Sequence, residues 1–286
     1  MFNTLFEHLE KSGLDIHAAE IIHDGETVLH KCFNGDIRRP VYSITKSVTS
    51  TAFSLACDDG LLSPDARLSD FLESRYKTLM SDDFIKLSFH RFLTMTAGRF
   101  PFRPSGDNWC ESILSLDTDH TDDSFHYSNI PAYLVGVAVE NAAGGDLSSY
   151  LNKRLWEPLG ISPPPFQTSP EGHFYGATGM ELTVNELALL GKFYLDSGSI
   201  NGKQIISKAA MNRLVTPFVK TNEKDSYGYF FRVADDHFSM SGKWGQRCMV
   251  YPEKKLVAAY LSHQPERSKE LCDVFEDCLS DLQIEI

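Results

Sequence analysis

The sequence predicts an α+β fold, in which an antiparallel sheet is flanked by helices from the two chain ends and carries an inserted helical lobe. Strand-like runs occur near the N-terminus and again towards the C-terminus, and helix signals fill the stretch between them. We expect residues 1–57 and 171–286 to form a discontinuous sheet domain and residues 58–170 to form a helical domain. A functional site is expected in the cleft between the two.

Helices are predicted where apolar residues recur at spacings of three and four between capping residues and helix breakers. Gly60 and Gly144 mark helix ends, because glycine readily adopts the left-handed conformation that follows a helix. Thr183 and Glu186 form the pattern of a capping box. In chain order, the predicted helices span residues 2–12, 44–56, 68–72, 88–98, 129–143, 147–156, 183–196 and 269–282.

Strands are predicted where β-branched and aromatic residues lie between short turns. Asp24-Gly25 is the turn of an N-terminal hairpin, and the C-terminal runs follow one another as in an antiparallel meander. The apolar stripe of the last helix, which includes Leu271, Phe275 and Leu282, is predicted to cover one sheet face. The predicted strands span residues 17–22, 27–31, 227–233, 237–241, 247–251 and 256–262.

The charge of the chain excludes some classes of partner. The formal net charge is -12 over 286 residues, and the lysines and arginines are scattered. Because an acidic surface repels nucleic acid and anionic membranes, we expect neither as a partner. The N-terminus lacks the features of a signal sequence, and no apolar run reaches transmembrane length. A cytoplasmic location is expected, or a periplasmic or secreted one if a signal has been removed.

The cysteines give no sign of a metal site. They form no Cys-x-x-Cys pair and have no histidine at a spacing typical of metal ligands. We therefore predict free thiols, with neither disulfides nor a metal, and no cofactor. The six cysteines are Cys32, Cys57, Cys110, Cys248, Cys272 and Cys278.

A Ser-x-x-Lys pattern, formed by Ser43 and Lys46, starts the helix predicted from residue 44. Residues three apart share a helix face, so the hydroxyl and the amine can meet within one turn. A serine hydroxyl becomes a nucleophile when a base takes its proton, and lysine can be that base when burial lowers its pKa. On its own, the pattern is more often a pair of solvated helix residues than a catalytic pair.

Two further motifs follow in the chain. Tyr-Ser-Asn at residues 127–129 lies in a polar loop before a helix, and Lys-Trp-Gly at residues 243–245 lies in a predicted turn between strands. Alone, the first is typical of a helix cap and the second of an ordinary turn. In this order, the three motifs resemble those of the serine β-lactamase and penicillin-binding-protein superfamily. The resemblance covers nearly the whole chain and is closest to the class C β-lactamase-like branch, with its DD-peptidases, family VIII carboxylesterases and 6-aminohexanoate-dimer hydrolases.

The resemblance implies a fold of the β-lactamase and transpeptidase type and a mechanism through an acyl-enzyme. Ser43 would attack an acyl carbonyl, and Lys46 would help to accept its proton. The phenol of Tyr127, held between lysine ammonium groups that stabilise its anion, would act as general base and later activate water.

The resemblance also implies binding roles. Asn129 would bind the substrate amide or orient Lys46, and Lys243 would set the local field or meet a substrate carboxylate. The backbone N–H groups of Ser43 and Gln246 would form the oxyanion hole.

The third motif departs from the family pattern. Trp244, followed by Gly245, stands where threonine or a small residue is usual, so a hydroxyl that could bind a β-lactam carboxylate is missing. In an alternative alignment, residues 242–246 form a Gly-x-x-Gly-Gln turn like that of the aminohexanoate hydrolases, which leaves the role of Lys243 open.

Several other side chains are weaker candidates for the cleft. For the two histidines among them, an ordinary hydrogen-bonded or solvated state is the more common situation. For the aromatic residues the alternative is packing, and for the arginines it is surface solvation. These residues are His126, His173, Phe100, Phe102, Trp109, Phe166, Arg99 and Arg103.

We therefore predict a cofactor-free serine hydrolase that forms an acyl-enzyme on Ser43 and hydrolyses a small ester or amide. A carboxylesterase or amidase is placed ahead of a β-lactamase or D-alanyl-D-alanine carboxypeptidase, because no signal sequence is present. A noncatalytic relative that binds an acyl peptide is a further alternative, and the presence of both Lys46 and Tyr127 argues against it. The partner is a small molecule, and the oligomeric state is left open.

Overall fold

The computed structural model describes residues 2–222 and 225–280. The helices are α1 (Phe2–Ser12), α2 (Ile44–Asp58), α3 (Phe89–Leu93), α4 (Trp109–Leu114), α5 (Ile130–Ala143), α6 (Leu147–Leu151), α7 (Glu157–Leu159), α8 (Val184–Leu195), α9 (Lys208–Leu214) and α10 (Ser268–Ser280). The strands are β1 (Ile16–His23), β2 (Glu26–Cys32), β3 (Arg39–Pro40), β4 (Glu181–Leu182), β5 (Ser199–Ile200), β6 (Lys203–Gln204), β7 (Val219–Lys220), β8 (Ser226–Tyr227), β9 (Arg232–Val233), β10 (Phe238–Gly242), β11 (Gln246–Tyr251) and β12 (Leu256–Ser262). Single 3₁₀ segments occur at Leu68–Phe71, Ser74–Leu79 and Phe84–Lys86, and a π-helical turn at Asn152–Trp156 joins α6 to α7.

The main sheet joins strands from both ends of the chain. Its order is β2-β1-β12-β11-β10-β9-β8-β7, and neighbouring strands are antiparallel. In the register at its centre, Ile21 lies opposite Ala258, and Val257 lies opposite Val250. Most of the helices lie in the chain between β2 and β7, so the predicted α+β fold is confirmed. The domain limits remain a prediction.

Each face of the sheet packs against different helices. On one face, Met249 and Tyr260 join a cluster with Leu9 of α1 and Phe275 of α10, whose ring stacks on Tyr260 with centroids 4.1 Å apart. The opposite face packs against α8 and belongs to the larger core that includes α2 and α5. The terminal helices therefore cover one sheet face as predicted, although Leu282 of the predicted stripe lies outside the described residues.

Helix α2 is the central element of the larger core. Its side chains from Ile44 to Ala56 are buried on all sides, which is typical of a helix surrounded by other elements. It packs against α5, α9 and β10. Its N-terminus therefore brings Ser43 to the junction between the sheet and the helical part of the chain. No helix in the described ranges has the length and apolarity needed to cross a lipid bilayer.

The prediction of one strand over residues 227–233 is wrong, because the chain reverses between β8 and β9. Phe230 has a φ of 60°, and its N–H donates to the Leu93 carbonyl at 3.3 Å. Gly228 fits this reversal because an added Cβ would lie 2.3 Å from the Leu214 carbonyl oxygen. These contacts stop the ladder after two residues on each side of the turn.

Two helices end at residues other than those predicted from the sequence. The helix predicted over residues 88–98 ends at Leu93, and Met95 turns the chain with a φ of 59°. The helix predicted over residues 147–156 continues through the π-helical turn and α7 until Gly160, whose φ is 70°. Neither α4 nor α9 is among the predicted helices, because both are too short to show a clear apolar period.

Gly191 of α8 packs directly against the sheet, where an added Cβ would lie 2.5 Å from Val257 Cγ1 and 2.6 Å from Cys248 Sγ. We expect Gly191→Ala to lower the free energy of unfolding by about 1–3 kcal/mol through overpacking. Gly136→Ala in α5 is the matched control, because an added Cβ would lie 3.7 Å from its nearest neighbour, Leu147 Cδ2. The higher helix propensity of alanine should then raise the free energy of unfolding by about 0.5–1 kcal/mol. Urea unfolding checks both variants, and equal stabilities would contradict this packing.

Candidate active site

Ser43 stands at the N-terminus of α2, directly after an uncommon backbone conformation. The Val41 N–H donates to the Met180 carbonyl at 3.0 Å, which anchors the approach to the helix. Tyr42 then has a φ of 49°, in the left-handed region. Residues other than glycine rarely adopt this conformation, and those that do are often near functional sites. The Ser43 side chain makes no capping hydrogen bond to α2, so its hydroxyl is available for chemistry.

The amine of Lys46 joins the first motif to the second. Lys46 is only 1% exposed. Its Nζ donates to Ser43 Oγ at 3.1 Å, to Asn129 Oδ1 at 2.7 Å and to the Ala177 carbonyl oxygen at 2.9 Å. The Ser-x-x-Lys pair therefore meets within one helical turn, as predicted, and the second motif contacts it directly.

The surroundings of Lys46 favour its neutral form. Burial lowers the pKa of Lys46 to about 7. The oxygens of Asn129 and Ala177 can only accept hydrogen bonds, so they suit the two N–H bonds of a neutral amine. The lone pair of that amine then faces the Ser43 hydroxyl. This arrangement allows Lys46 to take the proton of Ser43.

Asn129 is held in the orientation that Lys46 requires. Its backbone N–H donates to the Phe102 carbonyl at 2.9 Å, and its Nδ2 donates to the Tyr175 hydroxyl at 3.0 Å. Because Tyr175 engages the amide nitrogen, the amide oxygen is left to accept from Lys46. The side chain does not cap α5, although Asn129 stands at its N-terminus.

Tyr127 lies beside Lys46, and 37% of its surface is exposed. Lys46 Nζ is 4.9 Å from the centroid of its ring. Desolvation by the surrounding protein raises the pKa of Tyr127, while a hydrogen-bond interaction with Ser43 and the charge of Arg232 act in the opposite direction. Since desolvation dominates, the phenol keeps its proton near neutral pH.

A cavity of about 300 Å³ brings residues of all three motifs together. Ser43, Tyr127 and Asn129 line it, together with Gly242 and Lys243 at the end of β10. The other lining residues are Tyr42, Phe102, Arg103, Thr178, Tyr227, Phe230, Arg232, Ser239 and Ser241.

The third motif reaches the cavity only through its first residue, Lys243. Gly242, just before it, packs so tightly against the approach to α2 that an added Cβ would lie 2.3 Å from the Val41 carbonyl oxygen. Trp244 is not among the lining residues. Its indole packs between Tyr42 and His263, with ring centroids 5.2 and 4.6 Å away.

Gly245 and Gln246 also lie outside the lining of this cavity. The Gln246 side chain is buried, and its Nε2 donates to the Ser262 carbonyl at 2.7 Å. The Lys243 ammonium lies 4.4 Å from the centroid of the Trp244 ring. These positions favour the alternative alignment, in which a Gly-x-x-Gly-Gln turn begins at residue 242.

Arg232 is a cavity residue that the sequence analysis does not identify. It lies on β9, opposite Ser239 of β10 and Tyr227 of β8, and its charge acts on Tyr127. Recognition of the turn between β8 and β9 would have placed Arg232 beside the end of β10. The sequence shows no clear signal for this turn, because its residues are mostly aromatic.

The weaker candidates divide into two groups. Phe102 and Arg103 line the cavity. The others have partners elsewhere: Arg99 and His126 pair with Asp122, His173 pairs with Glu140, and Phe100, Trp109 and Phe166 pack against other aromatic rings.

The chain matches the family model for beta-lactamase over residues 3–276. Among solved structures, it is similar to the penicillin binding protein from Bacillus halodurans, with 17% identity, a TM-score of 0.75, and 97% of this chain and 100% of that chain covered. It is similar to the octameric penicillin-binding protein homologue from Pyrococcus abyssi, with 21% identity, a TM-score of 0.74 and coverages of 97% and 76%. It is also similar to EstCE1, a hydrolase with promiscuous acyltransferase activity, with 12% identity, a TM-score of 0.78 and coverages of 97% and 97%.

A search of curated proteins finds no match to this chain. The family model nevertheless spans almost all of the sequence, and the structural neighbours share the fold over nearly its full length. The chain belongs to the beta-lactamase family.

Proposed function

We propose that this protein is a serine hydrolase that forms an acyl-enzyme on Ser43 and hydrolyses a small ester or amide. The observation that carries the proposal is the contact between the buried Lys46 amine and the Ser43 hydroxyl, at 3.1 Å. A nucleophile in hydrogen-bond reach of a base, with the base oriented by a third group, is the arrangement that acyl transfer requires. Asn129 supplies the third group, since its Oδ1 accepts from the amine.

In acylation, the lone pair of Lys46 takes the Ser43 proton while Oγ forms a bond to the acyl carbon. The electrons of the carbonyl bond move to its oxygen, which then needs hydrogen-bond donors. We assign these donors to the backbone N–H groups of Ser43 and Lys243. Lys243 replaces Gln246 in this role because it follows Gly242 and lines the same cavity as Ser43.

The leaving group needs a proton when its bond to the acyl carbon breaks. We assign this proton to the phenol of Tyr127, because desolvation keeps the phenol protonated. The ammonium of Lys46 then returns a proton to the phenolate, which restores both groups. In deacylation, water attacks the acyl carbon while its proton passes to Lys46, and the Lys46 ammonium then returns this proton to Ser43 Oγ as the bond between Oγ and the acyl carbon breaks. We therefore assign the general-base role to Lys46, and not to Tyr127 as the family resemblance implies.

The substitution Tyr127→Phe tests this division of roles. An alkoxide leaving group needs a proton and p-nitrophenolate does not, so we expect a much larger loss of kcat/KM for an alkyl ester than for a p-nitrophenyl ester of the same acid. The loss for the alkyl ester should reach about 10²–10⁴-fold, the range typical of acid–base groups. Equal losses for both esters would remove the leaving-group role of Tyr127.

The charges around the cavity favour an acyl substrate that carries a carboxylate. Arg103, Arg232 and Lys243 line the cavity, and no acidic residue of the described part of the chain is among its lining residues. None of the three cations takes part in an ion pair within the described ranges. In a chain with a net charge of -12, such a cluster of uncompensated cations attracts an anionic ligand.

A β-lactamase is the second candidate, and Ser241 is the observation that keeps it open. Ser241 lines the cavity next to Gly242, and its buried hydroxyl oxygen has no hydrogen-bond partner within the described residues. The absence of a hydroxyl at Trp244 is therefore weaker evidence against β-lactam substrates than the sequence suggests.

The test compares kcat/KM for p-nitrophenyl butyrate, mono-p-nitrophenyl glutarate, nitrocefin and a D-alanyl-D-alanine peptide. We expect the anionic glutarate ester to be hydrolysed faster than the neutral ester. Arg232→Gln should lower kcat/KM for the glutarate ester by about tenfold through loss of a charged contact. Arg99→Gln is the matched control, because Arg99 pairs with Asp122 and does not line the cavity.

The outcomes separate the candidates. Nitrocefin turnover faster than either ester would replace the esterase assignment with a β-lactamase. No turnover of any compound, together with no adduct on Ser43 after fluorophosphonate treatment, would contradict the proposal as a whole.

A further inference from the structure

Three potential metal ligands meet at the edge of the sheet, away from the proposed active site. His30, Cys32 and Asp36 each place one ligand atom within 4.8 Å of the other two. His30 and Cys32 are two residues apart on β2, so their side chains share one face of the strand. Gly35 has a φ of 78° in the turn that follows, between Cys32 and Asp36. The spacing of the cysteines predicts no metal site, yet the two-residue spacing of the strand brings His30 and Cys32 side by side.

The distance between the first two ligands fits one tetrahedral ion. His30 Nε2 lies 3.4 Å from Cys32 Sγ. With Zn–N near 2.0 Å and Zn–S near 2.3 Å, two ligands of one tetrahedral zinc are expected about 3.5 Å apart. The third ligand, Asp36, is exposed in the loop after β2, so a small side-chain rotation can bring its carboxylate onto the same ion.

A buried carboxylate fixes the orientation of His30. The Nδ1 of His30 donates to Glu20 Oε2 at 2.7 Å, and Glu20 is 1% exposed. Glu20 also accepts from Asn185 Nδ2 of α8, at 3.0 Å, which holds it in place. With the proton on Nδ1, the lone pair of Nε2 faces Cys32. Histidine ligands of metal sites are commonly held by such a carboxylate, and the proposed hydrolysis does not use Glu20.

We propose that His30, Cys32 and Asp36 bind one Zn²⁺ ion, with water as the fourth ligand. The Cys32 thiol gives up its proton to solvent when the Zn–S bond forms. Imidazole and thiolate donors select zinc over magnesium or calcium, which prefer oxygen ligands alone. The ion links the loop after β2 to this edge strand, and it takes no part in the chemistry of Ser43.

The test uses the whole protein, freed of metal with a chelator, and Co²⁺ as a spectroscopic probe. We expect one equivalent of Co²⁺ to produce a thiolate-to-cobalt charge-transfer band, and Zn²⁺ to displace it. Cys32→Ser should abolish the band, Asp36→Asn should weaken Co²⁺ binding by at least about tenfold, and Glu20→Gln should weaken it by about 10–100-fold. Cys57→Ser, which changes a partly buried thiol in α2, is the matched control and should bind Co²⁺ like the parent protein.

A second measurement needs no variant. Zn²⁺ should slow the alkylation of Cys32 in the parent protein and leave that of Cys57 unchanged. Absence of the charge-transfer band, its survival in Cys32→Ser, or equal alkylation of Cys32 with and without Zn²⁺ would each overturn the proposal. Ester hydrolysis should persist in Cys32→Ser, so failure of the metal proposal and failure of the proposed function can be told apart.

Discussion

Replacing Ser43 with alanine is expected to lower kcat for every substrate that the protein hydrolyses by about 10⁶-fold, the size of the loss when another serine hydrolase loses its nucleophile. The reason is chemical, because Ser43 Oγ is the hydroxyl in contact with Lys46 Nζ, and the other two acceptors of this amine are the side-chain amide of Asn129 and the backbone carbonyl of Ala177. Ester hydrolysis and the mass of the fluorophosphonate-treated protein both measure this effect.

The same substitution should leave the fold intact. The Ser43 side chain makes no capping bond to α2, and the Lys46 amine keeps its acceptors on Asn129 and Ala177, so thermal unfolding of Ser43→Ala should stay close to that of the parent protein. Ser50→Ala is the matched control on the same helix, because its hydroxyl only donates to the Ser47 carbonyl, at 3.0 Å. A Ser43→Ala variant that keeps a tenth of the activity, while folded, would contradict the assignment of the nucleophile.

Lys46→Met is the second change with a large expected effect. Methionine has a similar length but no basic nitrogen, so the Ser43 hydroxyl loses the group that takes its proton. We expect kcat/KM to fall by about 10²–10⁴-fold, the typical contribution of a general base. The carbonyl groups of Asn129 and Ala177 also lose their donor, so stability should fall by about 1–3 kcal/mol for each group left unpaired.

The substitution Lys46→Arg tests whether Lys46 acts as a base or through its positive charge. Arginine keeps a cation and several donors near Ser43, but its guanidinium does not lose a proton at neutral pH. We therefore expect Lys46→Arg to be about as inactive as Lys46→Met, when both are assayed under conditions where circular dichroism shows them folded. Activity close to that of the parent protein in Lys46→Arg would mean that the positive charge, and not the lone pair, matters.

The parts of the site that lie at the starts of α2 and α5 could be predicted from the sequence. Ser43 and Lys46 meet because residues three apart on a helix always share a face. Asn129 reaches Lys46 because it starts the buried helix α5, which packs on α2. The longer strands could be predicted as well, because mainly apolar stretches that contain β-branched or aromatic residues lie between short turns.

The parts that depend on how distant turns pack could not be predicted. The sequence Lys-Trp-Gly at residues 243–245 resembles the family motif. The position that requires glycine is nevertheless 242, because the backbone of Val41 leaves no room there for a Cβ. Arg232 reaches the cavity because the chain reverses at Phe230, a reversal with no turn residue except Gly228. Neither the contact of Gly242 with Val41 nor the chain reversal at Phe230 leaves a periodic pattern in the sequence.

The pH dependence of Ser43 labelling tests most directly whether neutral Lys46 is the base. Burial places the pKa of Lys46 at about 7, and the amine is a base only after it has lost its proton. The second-order rate constant for labelling of Ser43 by a fluorophosphonate should therefore rise with pH through about 7 and level off above it, with peptide mapping to confirm the site. A rate constant that stays flat from about pH 5 to about pH 9, or an adduct on another residue, would contradict the account.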